Sequence, residues 1–286
     1  MYNKADLHLH TTASDGSDTP RALIEKARGC GIDVIAVTDH DTLVGSREAV
    51  KLQQNDVKVI TGIEFSCHHF GECDFDCHIL GYGFDTDSPV LLEAIKHGRE
   101  MRLLKLEARL KYLNENFKIS FPAEDIKWLY SLNSVAKPHL ARLLINRGYA
   151  TGMAEAIDKY LKGSKFPDDR IDSKEAIEAI KAAGGIPVYA HPIGGEREKR
   201  LSEEEVLSRI EALKTQGLMG LECYYSRYSD SDEAMLVGIA DRLGLLVSGG
   251  SDYHGENKTV IIGTLRSDEE EININKISVL SVLLDR

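Results

Sequence analysis

The segment ADLHLHTTASDGSDTP, residues 5–20, places two histidines one residue apart within a short apolar run. Side chains alternate between the two faces of a β-strand, so His8 and His10 point to one face while Leu7 and Leu9 point to the other. A single histidine in a strand is commonly a hydrogen-bonded core residue. Two imidazoles directed at one point favour a metal site, provided that the rest of the chain supplies further ligands.

The composition is that of an ordinary globular protein, because 42% of the 286 residues are hydrophobic and 28% are charged. The net charge of −11 argues against a large basic surface for nucleic acid. The five cysteines have no framework spacing, which is typical of a reducing compartment. No apolar run approaches the roughly 18 residues of a membrane helix, and no secretory leader pattern opens the chain. We therefore expect a cytoplasmic protein without a membrane partner.

Short β-rich runs alternate with helical patterns in two outer segments of the chain, residues 1–98 and 171–286. This alternation predicts an α/β protein with a parallel sheet or barrel. Between the two segments, residues 99–170 lose the strand signal and show amphipathic helical patterns, as in MRLLKLEARLKYLNENF. We therefore predict one discontinuous barrel domain that carries a helical insertion domain.

The predicted strands of the outer segments end in potential metal ligands. These residues are His8, His10, His40, Glu64, His78, His191, Asp252 and His254. The carboxyl ends of parallel strands in a barrel converge on one mouth, and such polar groups are costly to bury there unless they are paired or coordinated. The sequence therefore predicts a metal site at this mouth. Glu222 occupies a similar place, and its role stays open at this point.

The cysteines are not expected to join this site. Cys67, Cys73 and Cys77 lie in or beside the connection between two predicted strands. One C-x-x-x-C pair without a second pair is a weak zinc signal.

The motifs DLHLHT, SDG, VTDHD, GIE, HILGY, AHP and GSDYHG resemble, in order and spacing, those of the polymerase and histidinol phosphatase (PHP) family of metal-dependent phosphoesterases. The resemblance covers both outer segments and implies a distorted (β/α)7 TIM-like barrel. The insertion is similar to the helical cap of a bacterial subgroup whose members are 3′,5′-nucleoside bisphosphate phosphatases and 5′-to-3′ exonucleases of short RNA. The expected partner is therefore a small phosphorylated nucleotide or a short RNA.

The resemblance also implies a site for two to three divalent metal ions, with catalytic roles for Glu64, Asp252 and His254. The implied first metal has the ligands His8, His10, Glu64 and Asp252. Glu64 would bridge to a second metal held by His78 and His191, and Asp15, His40 and His254 would hold a third. Asp6, on the same strand face as His8, would orient an imidazole.

Charge supports phosphate chemistry, because three divalent ions against three carboxylates leave a net charge of about +3 that attracts a phosphate dianion. A hydroxide bridging the metals would attack phosphorus in line, so no covalent protein nucleophile is needed. The nitrogen and oxygen ligands suit manganese, which we expect first, and iron or zinc as alternatives.

Two residues of the insertion are candidate substrate contacts. Lys137 and His139 flank Pro138 at a predicted helix start, where amide groups and the helix dipole favour anions. The subgroup usually has RPH here, so Lys137 supplies a point charge in place of a two-pronged contact. The following KFPDDR, residues 165–170, differs from the aromatic, proline-containing loop of the subgroup, which leaves the specificity for the leaving group open.

Three other functions remain at this point. A histidinol phosphate phosphatase is disfavoured by the helical insertion. An amidohydrolase also begins with H-x-H but typically bridges its metals with a lysine, where this chain offers Glu64 and His78. A non-enzymatic metal-binding module is disfavoured by the complete ligand set.

Overall fold

The computed structural model describes residues 2–53, 56–71, 73–164, 170–195, 199–266 and 270–285. Its central element is a curved sheet with the strand order β1-β2-β3-β4-β6-β7-β8, and the short β5 pairs with β3. These strands are β1 (Ala5–Leu9), β2 (Val34–Val37), β3 (Lys58–His69), β4 (Phe75–Tyr82), β5 (Ile171–Asp172), β6 (Ile186–Tyr189), β7 (Gly220–Tyr225) and β8 (Leu246–Gly250). A parallel bridge between Leu9 and Tyr253 brings the two edges together, so the sheet is a nearly closed seven-stranded barrel. The predicted fold class is confirmed.

Strand β4 is the exception to the parallel order. It runs antiparallel to both β3 and β6, whereas β1, β2 and β3 are mutually parallel, as are β6, β7 and β8. A chain that returns through a short connection must run antiparallel, and only five residues separate β3 from β4. Glu64 and His78 therefore lie in the interiors of these strands. The prediction that every ligand closes a strand is wrong for these two residues.

Helices cover the barrel and form the insertion. They are α1 (Pro20–Gly29), α2 (Val44–Leu52), α3 (Pro89–Phe117), α4 (Ala123–Ser131), α5 (Lys137–Asn146), α6 (Met153–Glu155), α7 (Ser173–Ala182), α8 (Glu203–Thr215), α9 (Asp230–Leu243) and α10 (Ser278–Leu284), with a π-helical segment at Ala156–Leu161. A small antiparallel pair, β9 (Thr264–Leu265) and β10 (Glu270–Glu271), lies outside the barrel sheet. None of the helices within the described ranges is long and apolar enough to cross a bilayer.

Helix α3 joins the barrel to the insertion without a break. Its 29 residues span about 43 Å at the rise of an α-helix. Leu91 and Ala94, near its start, pack in the largest core of the barrel, whereas Leu106 and Leu113 pack in a separate core with residues of α4, α5 and the π-helical segment. The predicted domain boundary, after residue 98, falls inside this helix, and the division into two domains stays a prediction.

Candidate metal centre

Strand β1 brings His8 and His10 into the interior of the barrel, where both side chains are completely buried. Asp6 fixes the strand from the side, because its carboxylate accepts hydrogen bonds from Ser251 N at 2.9 Å, Ser251 Oγ at 2.6 Å and Gly263 N at 2.7 Å. Burial raises the pKa of Asp6 to about 6, although these hydrogen bonds oppose the shift. Asp6 thus ties β1 to the chain around β8, which carries two further site residues.

Glu64 is the centre of the cluster. Five imidazoles approach its carboxylate: Oε2 lies 3.2 Å from His8 Nε2, 3.1 Å from His10 Nε2 and 3.2 Å from His40 Nδ1, and Oε1 lies 2.9 Å from His78 Nδ1 and 3.3 Å from His191 Nε2. Burial opposes ionisation of Glu64, but the neighbouring histidines outweigh it and hold the pKa of the carboxyl well below its usual range. The side chain is therefore an anion shared among several ligand nitrogens.

Two more carboxylates complete the group. Asp252 Oδ1 lies 3.5 Å from both His8 Nε2 and His10 Nε2, and 3.4 Å from His254 Nδ1. Asp15 Oδ1 lies 3.4 Å from His254 Nε2, with His10 and His40 also within 4.0 Å. The structure thus brings together all nine residues that the sequence singled out as ligands.

The donor atoms fit divalent metal ions. Several buried atoms carry no hydrogen bond within the described chain: His8 Nε2, both ring nitrogens of His10, Asp15 Oδ1 and His40 Nδ1. Leaving such groups unsatisfied is costly, and coordination would satisfy them. Candidate donor atoms within 4.8 Å of one another form three groups: His10, Asp15, His40 and His254; His8, His10 and Asp252; and His40, Glu64 and His78. Burial and the nearby His254 lower the pKa of His10 to about 4, which keeps this imidazole neutral and able to bind a metal.

Glu222 orients two of these residues. Its Oε1 lies 2.8 Å from His8 Nδ1, and its Oε2 accepts a hydrogen bond from the backbone N–H of His191 at 2.7 Å. Burial disfavours the charged form of His8, but Glu222, with Glu64 and Asp252, raises the pKa of this imidazole well above its usual value. A carboxylate on one ring nitrogen directs the other nitrogen toward a metal. The sequence left the role of Glu222 open, because these contacts join residues that are far apart in the chain.

Asp39 performs a similar task for the loop that carries Asp15, and the sequence analysis missed it. Its carboxylate accepts hydrogen bonds from Thr11 N and Thr11 Oγ1, both at 2.7 Å, and from Ser14 Oγ at 2.6 Å. Its place beside His40 in the sequence was the available signal.

The backbone is strained at three positions of the site. Asp41, His191 and Asp252 have φ angles of 49°, 30° and 58°. Such angles are uncommon for residues other than glycine and persist where the surrounding structure fixes them. Two of the three residues are candidate ligands, and Asp41 directly follows a third.

The cysteines lie apart from the three groups of candidate ligands. Cys67 and Cys77 face each other across β3 and β4 and are buried in the barrel core. Burial raises the pKa of the Cys77 thiol to about 12, so the thiolate that a metal would need is disfavoured. Cys73 is exposed.

A cavity of about 420 Å³ opens over the cluster. Its lining includes Asp15, His40, Glu64, His78, His191, Asp252 and His254, together with seven cationic side chains: Arg102, Lys105, Arg109, Lys137, Lys162, Arg170 and Lys258. Three of these cations recur on α3 with spacings of three and four residues, a helical face that could have been found in the sequence. Lys258 contacts Asp252 Oδ2 at 2.6 Å, and although burial opposes it, this carboxylate raises the pKa of the ammonium. The cavity is therefore suited to an anionic ligand.

The two predicted substrate contacts differ in position. Lys137 lines the cavity, whereas His139 is not among its lining residues. His139 Nδ1 accepts a hydrogen bond from Ala136 N at 2.9 Å, and the ring lies within hydrogen-bonding reach of the Ser14 backbone. A substrate contact by His139 stays a prediction. The KFPDDR segment falls outside the described residues apart from Arg170, which lines the cavity and contacts Asp76 at 3.2 Å.

A nearly closed βα barrel with clustered imidazoles and carboxylates at its mouth defines a metal-dependent hydrolase. The PHP domain matches residues 6–186 of the chain. The chain is 32% identical to a 5′-3′ exoribonuclease of Haemophilus influenzae, with 89% of this chain and 91% of the relative covered. It is 30% identical to the phosphoribosyl 1,2-cyclic phosphate 1,2-diphosphodiesterase of Eggerthella lenta, covering 88% and 94%. A 3′,5′-nucleoside bisphosphate phosphatase of Chromobacterium violaceum is 29% identical, covering 87% and 86%.

Two solved structures superpose on nearly the whole chain, and one of them is a Chromobacterium violaceum protein described as an amidohydrolase, with a TM-score of 0.81 and 25% identity over 99% of this chain and 96% of that one. A Bifidobacterium adolescentis protein classed as a metal-dependent phosphoesterase superposes with a TM-score of 0.81 and 28% identity, over 98% of this chain and 95% of that one. The chain belongs to the PHP family, as its motifs predicted, and is a metal-dependent hydrolase of phosphoric esters.

Proposed function

We propose that the protein removes the 3′-phosphate from 3′,5′-nucleoside bisphosphates and acts on short RNA from its 5′ end. The observation that carries this proposal is the cavity, whose lining combines cations of the insertion with candidate metal ligands of the barrel. In a substrate with two phosphates, the reacting phosphate would meet the metal ions and the other phosphate would meet the cations of the insertion. The nucleotide substrates named for the Haemophilus and Chromobacterium relatives support the same class.

The proposed metal ligands are the nine residues gathered at the barrel mouth. His8, His10, Glu64 and Asp252 would hold one ion, Glu64, His78 and His191 a second, and Asp15, His40 and His254 a third. Divalent ions, when bound there, supply Lewis acidity toward the phosphoryl oxygens and a hydroxide nucleophile at neutral pH. Manganese is the first choice and iron or zinc the alternatives, because all donors are nitrogen or oxygen.

The protein's own residues bind the substrate and orient the metal ligands. Glu64 and Asp252 hold negative charge at the floor of the cavity, and Asp252 is itself fixed by Tyr225 OH at 2.9 Å and Lys258 Nζ at 2.6 Å. His254 Nδ1 approaches the Asp252 carbonyl at 2.9 Å, which fixes the direction of its other nitrogen. Lys137, Lys105 and Lys162 line the cavity on the insertion side and would attract the phosphate that does not react.

We further propose a cytoplasmic location, which fits nucleotide substrates and the free cysteines.

The cavity charge separates the alternatives. Histidinol phosphate carries an ammonium group, which Lys105 and Lys137 in the cavity lining would repel. An amidohydrolase substrate needs no such concentration of positive charge. A cyclic phosphodiester remains a second candidate, because the Eggerthella relative is similar to this chain over nearly its full length.

The test is a product-resolved hydrolysis screen of the purified protein, stripped of metal and then supplied with Mn²⁺. The panel contains a 3′,5′-bisphosphate, a 5′-phosphorylated RNA dinucleotide, phosphoribosyl 1,2-cyclic phosphate, histidinol phosphate and an N-acyl amino acid. Asp252→Asn protein purified in parallel reports contaminating phosphatases. We expect release of the 3′-phosphate at the highest kcat/KM. Preferred turnover of histidinol phosphate or of the N-acyl amino acid would overturn the proposal.

A further inference from the structure

The residue after His40 is held in an uncommon backbone conformation by a set of buried contacts. Asp41, with φ of 49°, is 2% exposed. Its backbone N–H donates to the Glu64 carbonyl at 3.0 Å, and its Oδ1 accepts from Ser66 N at 3.1 Å. Asp41 therefore links the loop that carries His40 to the strand that carries Glu64.

Helix α3 of the insertion completes this arrangement through Arg102. Nε donates to Asp41 Oδ2 at 2.5 Å, Nη2 donates to Ser66 Oγ at 2.7 Å, and Nη1 donates to the Val135 carbonyl at 3.3 Å. Every nitrogen of the guanidinium thus has a protein partner, although the side chain lines the cavity. One turn earlier, a Cβ at Gly98 would lie 3.1 Å from Asp41 Oδ1, so the helix backbone itself packs closely on this carboxylate.

Helix α5 of the insertion reaches the other loop, which carries Asp15. Arg142 Nη2 donates to Asn257 Oδ1 at 3.0 Å, and Asn257 Nδ2 donates to the Asp15 carbonyl at 2.7 Å. His139, on the same helix, lies beside the Ser14 backbone. Contacts from two helices of the insertion therefore converge on the two loops that present Asp15 and His40.

We infer that the insertion domain positions the Asp15 and His40 ligands, so that the metal site formed with His254 depends on it, and that Arg102 is the main positioning residue. This inference rests on the metal centre of the proposed function. Arg102 acts through Asp41, because its hydrogen bonds go to Asp41, Ser66 and the Val135 carbonyl. Removing such a supporting contact typically costs about 10- to 100-fold in metal affinity, and we expect a loss in this range at one site. By linkage, metal binding stabilises the contact between insertion and barrel to the same extent.

The test measures metal binding in the absence of substrate. Wild type, Arg102→Ala, Arg102→Lys and Arg147→Ala are titrated with Mn²⁺ by calorimetry, and the metal retained per chain is measured after gel filtration. Arg147 is the matched control, because it forms a two-pronged pair with Asp125 at 2.8 and 2.9 Å wholly within the insertion. Arg142→Ala, which removes a more exposed contact, keeps the test available should Arg102→Ala not fold.

We expect Arg102→Ala to weaken one metal equivalent about 10- to 100-fold while the remaining equivalents bind as in wild type. Arg102→Lys should recover part of the affinity, Arg142→Ala should lose less, and Arg147→Ala should match wild type. Unchanged metal affinity in Arg102→Ala and Arg142→Ala, or an equal loss in Arg147→Ala, would overturn the inference while leaving the proposed function intact. A raised KM at unchanged metal affinity would instead make Arg102 a substrate contact. Wild-type protein that binds no metal would refute the proposed function, and this inference with it.

Discussion

Glu222 offers a sharp test of how the site is held together. Both of its carboxylate oxygens are fully buried and each faces a hydrogen-bond donor: Oε1 faces His8 Nδ1 at 2.8 Å, and Oε2 faces the His191 backbone N–H at 2.7 Å. For His8 to bind a metal through Nε2, its proton must sit on Nδ1, where Glu222 accepts it. Glu222→Gln keeps the shape but offers one acceptor oxygen and one NH₂ donor.

The magnitude follows from this mismatch. Whichever way the amide is turned, its NH₂ faces either the His8 ring N–H or the His191 N–H, so one buried donor is left without an acceptor. Such a group costs about 1–3 kcal/mol. If His8 escapes by moving its proton to Nε2, it can no longer bind the metal through that atom. Both routes weaken the metal-bound state, and we expect Glu222→Gln to lower metal affinity about 10- to 100-fold.

The assay is a Mn²⁺ titration of metal-free protein together with kcat and KM for the bisphosphate. Asp33→Asn is the matched control, because Asp33 is another carboxylate that accepts two N–H groups, the backbone N–H of Asn3 at 2.7 Å and of Lys4 at 3.0 Å, but at the amino-terminal end of β1, away from the mouth. This control should bind metal normally. If Glu222→Gln binds metal as tightly as wild type and retains wild-type kcat, the assignment of Glu222 as the group that orients His8 is wrong.

Other substitutions test the remaining assignments. Glu64→Gln should abolish turnover and lower metal content, because the amide removes the charge shared by five imidazoles; activity within about tenfold of wild type at full metal loading would contradict this role. Cys73→Ser and Cys77→Ser should leave the number of metals per chain unchanged, whereas loss of one equivalent, measured by atomic absorption, would reveal a cysteine ligand. Lys137→Ala should raise KM for a 3′,5′-bisphosphate about tenfold with little change in kcat, and hydrolysis of p-nitrophenyl phosphate should not change; an equal fall in kcat on both substrates would place Lys137 at the reacting centre.

The sequence could predict which residues gather at the barrel mouth because strand alternation and strand ends are local properties. His8 and His10 follow from the period of two in β1, and His191 lies two residues after the end of β6. Glu64 and His78 are expected at strand ends, yet they lie inside β3 and β4, and their positions depend on the reversal of β4, which the sequence pattern does not indicate. The sequence alone does not show whether two strands pair in parallel or antiparallel, so it cannot distinguish a polar residue inside a strand from one at the strand's end.

The contacts that Glu222 and Arg102 make with the site could not be predicted for a different reason. Glu222 meets His8 across 214 positions of sequence, and Arg102 meets Asp41 across 61. Neither Glu222 nor Arg102 carries a local pattern that predicts its partner, and only the closed barrel and the docked insertion bring the pairs together. The role of Glu222 was accordingly left open, and Arg102 gave no signal beyond its place on an amphipathic helix.

The unbroken course of α3 has a consequence for how this protein unfolds and diversifies. Because one helix supplies Leu91 and Ala94 to the barrel core and Leu106 and Leu113 to the insertion core, neither core can melt without fraying a helix that the other needs. We therefore expect the two cores to unfold as one cooperative unit. Residues of the same helix also line the cavity, so selection for specificity and selection for folding act on one helix.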